Sequence, residues 1–301
     1  MTSEQHDEPT PAAAAPAGAA PNAGAEPPMI KLCGLRGTDD ARAAVLAGAD
    51  LVGIVLVPGT RRYVPPPTAT AMVRTIRDTA AEAGRFTPEI VGLVGQMSLA
   101  VATQLVTSTG IDSVQLVGSD EDCLRIADVL APDTPIIRTI AVGEDSHVDA
   151  LRAQVEMWEQ RGARIVFDAK VDGELGGTGH RIAGDLVRPL LSGARRGLAG
   201  GLTPDNVAAV IRDLQPAMVD VSSGIESHAG HKDPELMRAF VAAARAASID
   251  DIDLDSLHEL AAAPHERAAA HDLGAAPQAH DASGATSSSS SPPAPDPTEP
   301  T

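Results

Sequence analysis

Apolar runs of strand length recur eight times along this chain, and after each comes a stretch, mostly Ala-rich, with helical spacing. The strand-like runs are 29–33, 51–57, 89–94, 112–117, 135–142, 164–168, 196–200 and 217–222. The helical stretches are 39–47, 68–83, 99–108, 121–130, 147–160, 183–191, 204–214 and 234–246. Strands separated by helices predict a parallel sheet. Eight of each in a little over 200 residues suit an α/β fold, one closed (βα)8 barrel near the lower size limit, with an open doubly wound sheet as runner-up. Thr38 with Asp39 and Asp40, and later Thr203-Pro204-Asp205, supply helix-start signals for the first and seventh helices. In such a barrel, chemistry collects where strands end and βα loops begin.

The flanks read differently. Residues 1–28 are Ala, Pro, Gly and acids, and the chain from about 274 is Ala, Ser and Pro with the run Ser287 to Ser291. Such composition cannot bury enough apolar surface to offset the entropy of ordering. The expected organisation is a disordered tail over 1–28, a catalytic barrel over 29–247, and an acidic, Ser/Pro-rich, mostly disordered tail over 248–301. The charge follows this division. Of the net −18, the first 28 residues carry −4 and residues from 248 onward −9, leaving −5 for the barrel. The acidity concerns solubility rather than the site. No basic stripe or stacking aromatic set supports nucleic-acid binding. No run approaches the ~20 apolar residues a membrane span needs, and the N-terminus has no signal-peptide pattern, so a cytoplasmic protein is expected. Cys33 and Cys123 lie far apart without metal-ligand spacing, which indicates neither a disulfide framework nor a zinc site.

Two strand ends carry opposed chemistry. Ile30-Lys31-Leu32-Cys33-Gly34-Leu35 brings a thiol to the end of the first strand, and Phe167-Asp168-Ala169-Lys170 a carboxyl to the end of the sixth. Across a closed barrel these would face each other as a general base and a general acid. Taken alone, Cys33 is more often a small buried apolar residue, and Asp168 a cap or a solvated loop residue. The seventh and eighth strands end in Leu198-Ala199-Gly200-Gly201-Leu202-Thr203-Pro204 and Val219-Asp220-Val221-Ser222-Ser223-Gly224. Glycines admit a ligand close to the backbone, and this part of a barrel often holds phosphate. Arg62, after the second strand, offers a fork suited to a carboxylate. Strand alternation puts Lys31 and Cys33 on one face and Asp220 and Ser222 on one face. Closing the barrel makes the first and eighth strands neighbours, so Lys31 and Asp220 should pair one layer below Cys33, because either charge alone would be costly when buried.

These strings occur in an order and spacing that resemble a known family. They are Lys31-Leu32-Cys33-Gly34-Leu35, Arg62-Tyr63-Val64, Asp168-Ala169-Lys170, Gly176-Gly177-Thr178-Gly179, Gly200-Gly201-Leu202-Thr203-Pro204-Asp205-Asn206-Val207, Asp220-Val221-Ser222-Ser223-Gly224-Ile225-Glu226 and Lys232-Asp233-Pro234. Over residues 29–247 the chain is similar to the phosphoribosylanthranilate isomerases of tryptophan biosynthesis. The resemblance implies a (βα)8 barrel, monomeric or homodimeric, that performs an Amadori rearrangement of a small phosphorylated aminosugar with no cofactor and no metal. It implies Asp168 as the acid that opens the ring and Cys33 as the base at C2. Arg62 would hold the anthranilate carboxylate. Gln115, Gly177, Gly200, Gly201, Ser222, Ser223 and Gly224 complete the implied binding set.

The acid requires a carboxyl whose pKa burial lifts from ~3.9. The base requires a thiol brought below ~8.5, with Lys31 the nearest cation in sequence. Two strand ends depart from the family pattern. Gln115-Leu116-Val117-Gly118 replaces Gln-Leu-His-Gly, and Val94-Gly95-Gln96 replaces Phe-Val-Asn. Affinity or preference around the anthranilate ring is the property those changes touch. Cys123 is expected in helix packing, and His228 and His231 in a solvated loop.

Overall fold

Eight parallel strands close on themselves in the order in which the chain makes them. In the computed structural model these are β1 Met29–Leu35, β2 Leu51–Val55, β3 Glu89–Val94, β4 Ser113–Leu116, β5 Ile136–Val142, β6 Arg164–Ala169, β7 Arg196–Ala199 and β8 Met218–Val221. The described residues are 27–95, 97–143, 145–169, 186–191 and 196–249, all within one compact unit. The closed barrel, not the open sheet, is the outcome, because β1 pairs with both β2 and β8. Intervening helices are α1 Thr38–Ala47, α2 Pro66–Glu82, α3 Leu99–Thr109, α4 Asp120–Leu130, α5 Val148–Glu159, a helical segment at 186–191 (α6), α7 Val207–Leu214 and α8 Pro234–Ile249. After β8 a short hairpin, β9 Glu226–His228 and β10 His231–Lys232, precedes α8.

Two apolar layers follow from strand alternation. Outward-facing side chains such as Leu32, Ile54, Ile90, Val114, Ile165, Phe167 and Val219 pack with the helices into the larger core. Inward-facing Leu51, Val91, Ile137, Val166 and Met218 form a second cluster that plugs the barrel. Because that plug is apolar, the polar inward residues above it are committed to one end, the mouth where the strands finish. Helix starts refine the sequence expectation. The cap of α1 is Gly37, with Thr38 already helical, and Asp40 accepts from the Arg36 N–H at 2.9 Å. Helix α7 begins at Val207 rather than Pro204. Asn206 accounts for the delay: its Oδ1 accepts from Thr203 N at 2.8 Å and its Nδ2 donates to the Gly201 carbonyl at 2.9 Å, holding the preceding loop in a turn. Among the described residues, no helix is long and apolar enough to cross a membrane.

Candidate active site

The mouth holds a cavity of about 390 Å³. Cys33 from β1 and Asp168 from β6 both line it, and those strands stand three apart around the closed sheet. Gln115 from β4, Thr139 from β5 and Asp220 from β8 add polar groups to its wall. Arg62, Val117, Gly200, Gly201, Ser222 and Ser223 complete the part of the lining that the sequence had singled out. Gly177 and Gln96 lie outside the described residues.

Lys31 and Asp220 are register partners on β1 and β8, and Lys31 Nζ donates to Asp220 Oδ2 at 2.8 Å. The expected pair is therefore present, with Lys31 fully buried and Asp220 6 % exposed. Burial pulls the Lys31 ammonium down most strongly. The Asp220 carboxylate and the Cys33 sulfur outweigh it and hold Lys31 above its ordinary value. The lowering that a Cys33 base requires is not provided by its surroundings here. Burial pushes the thiol up from 9.0, and the nearby Lys31 offsets this only in part. Desolvation disfavours a thiolate more than one ammonium, itself paired to a carboxylate, can favour it. Asp168 departs in the other direction, being exposed at the mouth rather than buried.

Gly53 on β2 makes room for this arrangement. A Cβ there would stand 2.6 Å from Cys33 Sγ and 3.1 Å from both Cys33 Cα and Lys31 Nζ. The sulfur thus occupies space that any other residue at position 53 would fill. Gln115 is 3 % exposed and its Nε2 donates to Thr139 Oγ1 at 2.8 Å.

Arg62 is more committed than its sequence position implied. Its Nε and Nη2 meet the two oxygens of Glu226 at 2.7 and 3.1 Å. Glu226 also accepts from Gly230 N at 2.9 Å and Lys232 Nζ at 3.0 Å. Burial pushes Glu226 up, but these donors prevail and hold it at about 2. Lys232, with its side chain fully buried, also donates to the Ser222 carbonyl at 2.8 Å. Burial sets its pKa below the usual lysine value despite Glu226. The hairpin is thereby tied to the loop after β8 and to Arg62 from the loop after β2.

The two glycines after β7 both adopt positive φ, +95° at Gly200 and +63° at Gly201, a turn that favours glycine. Gly224 serves close packing instead. A Cβ there would lie 1.9 Å from the Leu202 carbonyl oxygen, so the loops after β7 and β8 touch backbone to backbone. His228 and His231 stack at 3.9 Å on the exposed hairpin, and Cys123 is buried in α4. Among the described residues no cluster of His, Cys, Asp or Glu could hold a metal ion.

Sequence reasoning had assigned no role to Gly53, Thr139, Asn206, Glu226 or Lys232. Asn206 carried a local signal, an Asn three residues after Thr203 at a helix start, and Glu226 and Lys232 stood within the family strings without a role. Gly53, Thr139 and the Arg62–Glu226 contact depend on partners distant in the chain.

Fold and mouth together define a class, a (βα)8-barrel enzyme whose cavity, carrying a thiol and two carboxyl groups, opens at the carboxyl ends of its strands. The family model for N-(5'-phosphoribosyl)anthranilate isomerase matches residues 30–243, and the chain belongs to that family of isomerases of tryptophan biosynthesis. An N-(5'-phosphoribosyl)anthranilate isomerase of Roseiflexus sp. (strain RS-1) is 40% identical over 225 residues, covering 73% of this chain and 98% of the relative. The crystal structure of TrpF from Jonesia denitrificans is similar at a TM-score of 0.58 and 32% identity, over 73% of this chain and 98% of that one. A phosphoribosyl anthranilate isomerase solved with reduced 1-(o-carboxyphenylamino)-1-deoxyribulose 5-phosphate is similar at a TM-score of 0.56 and 25% identity, over 73% and 99%.

Proposed function

We propose that this chain converts N-(5'-phosphoribosyl)anthranilate to 1-(o-carboxyphenylamino)-1-deoxyribulose 5-phosphate, with Asp168 as general acid and Cys33 as general base. The carrying observation is that these two groups, from strands three apart around the barrel, line one cavity with the Gly200-Gly201 and Ser222-Ser223 loops. Asp168 gives a proton to the ring oxygen as the nitrogen lone pair forms the C1=N bond, which opens the ring to a cationic Schiff base. Cys33 then removes the C2 proton, and those electrons form C1=C2 as the nitrogen regains its pair. The resulting enolamine becomes the ketone when C1 is protonated and the C2 hydroxyl loses its proton.

Both departures from the expected acid and base fit this order of events. Substrate seated over the exposed Asp168 would remove it from water, which favours its protonated form. The Schiff-base cation, formed beside Cys33, favours the thiolate that burial disfavours. The base is called for at the moment its environment turns favourable. The Gly200, Gly201, Ser222, Ser223 and Gly224 segments supply backbone N–H groups to the phosphate. Gln115 offers its amide to a polar group of the substrate, and the remaining donor capacity of Arg62 meets the anthranilate carboxylate. Similarity to a relative solved with that reduced compound supports a substrate of this kind.

The test is loss of substrate fluorescence with wild type, Cys33→Ser and Asp168→Asn. Turnover that falls about 10²–10⁴-fold in each variant supports the assignment. Binding of the reduced product without turnover in wild type makes the barrel a phosphosugar-binding protein instead.

A further inference from the structure

We infer that Asp220 is itself a substrate contact, its Oδ1 accepting a hydrogen bond from the hydroxyl on C2, the carbon whose proton Cys33 removes. The inference rests on the isomerase reading above and adds a residue that reading does not use.

Three observations carry it. First, Asp220 Oδ1 is buried and has no hydrogen-bond partner among the described residues, while Oδ2 is taken by Lys31. A buried carboxylate oxygen left without a donor is unfavourable, so such an atom in a functional cavity marks a place for a donor the protein does not provide. Second, the carboxylate lines the same cavity as Cys33 and Asp168. Third, the register fixes its height. Lys31 stands opposite Asp220, and Cys33 is the next inward residue on β1. Asp220 therefore lies one layer below the sulfur on the adjoining strand. A carbon placed with its hydrogen at Cys33 Sγ turns its other substituents toward neighbouring strands and the layer below. C2 carries a hydroxyl, which is a donor.

Lys31 gives the carboxylate its orientation. Held through Oδ2 by a fully buried ammonium at 2.8 Å, the carboxylate is restrained from rotating, which leaves Oδ1 as its open acceptor. The hydrogen bond would then fix C2 with its C–H aimed at the sulfur. It would also strengthen along the reaction, because an enol hydroxyl is a better donor than an alcohol. Contacts that tighten toward the transition state raise kcat rather than affinity alone. Gln115 Oε1, the other unpartnered buried acceptor in this wall, sits on β4 and is left for a different hydroxyl.

The experiment is a binding comparison. Wild type, Asp220→Asn and the double variant Lys31→Met/Asp220→Leu are titrated with reduced 1-(o-carboxyphenylamino)-1-deoxyribulose 5-phosphate and with the same compound lacking the C2 hydroxyl. The expected result is that wild type binds the deoxy compound about 10–100-fold more weakly, as for a hydrogen bond to a charged acceptor. That gap should shrink to within about threefold in the double variant, and kcat should fall in Asp220→Asn by more than KM rises. Equal binding of the two compounds by wild type overturns the inference, whether or not either variant folds. So does a gap that persists undiminished in the double variant. If wild type binds neither compound, the isomerase reading itself fails and takes this contact with it.

Discussion

The sulfur of Cys33 is held between a desolvating barrel wall and the buried ammonium of Lys31, with a smaller pull from Lys232, and the wall prevails. The reactive form is the deprotonated one, so an upward shift reduces it at any given pH. Alkylation of Cys33 by iodoacetamide, followed by mass spectrometry, should therefore climb about tenfold per pH unit and keep climbing past 9.0, the ordinary value. A rate that levels off near neutrality would contradict this. Gly53→Ala should push the sulfur from its place. The expected outcome is a marked fall in kcat with KM little changed, and a stability cost of about 1–3 kcal/mol from overpacking. How far such residues can be read from sequence varies with what decides them. The Lys31–Asp220 contact was legible because alternation and closure are both counting arguments. The direction of the Cys33 shift was not, since it is a difference between burial and charge that needs distances. Gly53 was invisible for a related reason, because a missing Cβ has meaning only once its neighbours are placed.

At the scale of elements, β1 and β8 are joined by a ladder and by one buried ion pair. Replacing Lys31 by Met alone leaves an uncompensated carboxylate and should cost about 3–5 kcal/mol, whereas replacing both partners by apolar residues should recover much of that in a urea melt. The loops after β7 and β8 meet at Gly224 and Leu202. Gly224→Ala must separate them, and a raised KM with a smaller change in kcat is expected if they jointly seat the phosphate. In the hairpin, Glu226 is held at about 2 against its ordinary 4.5. A lowered carboxyl stabilises the fold above its unfolded value, and that contribution drains away as pH falls from 4.5 through about 2. Acid unfolding of Glu226→Gln should thus differ from wild type at pH 7 and converge with it below about pH 2. The sequence showed every strand of the barrel and its helices among the described residues, the sixth being described only over 186–191. It did not show this triad, because Arg62 and Glu226 stand 164 residues apart and only the closed barrel brings them together.

For the whole molecule, the alternation of eight strands with eight helices sufficed for architecture, since few arrangements bury that pattern. What it left open, barrel or open sheet, is decided by the pairing of the first strand with the last. Most of the net negative charge lies beyond residues 29–247. A chain trimmed to residues 27–249 retains every barrel element described, and its kcat, KM and melting temperature should match those of the full chain. The same first-to-last pairing bears on how the protein is made. Cys33 leaves the ribosome early, yet the carboxylate that completes its surroundings belongs to the final strand. Throughout synthesis the thiol has no barrel to hide it, and it becomes difficult to reach only when the last strand docks. Resistance of one sulfur atom to a thiol reagent is therefore a clock for completion of the fold, readable on stalled chains of increasing length.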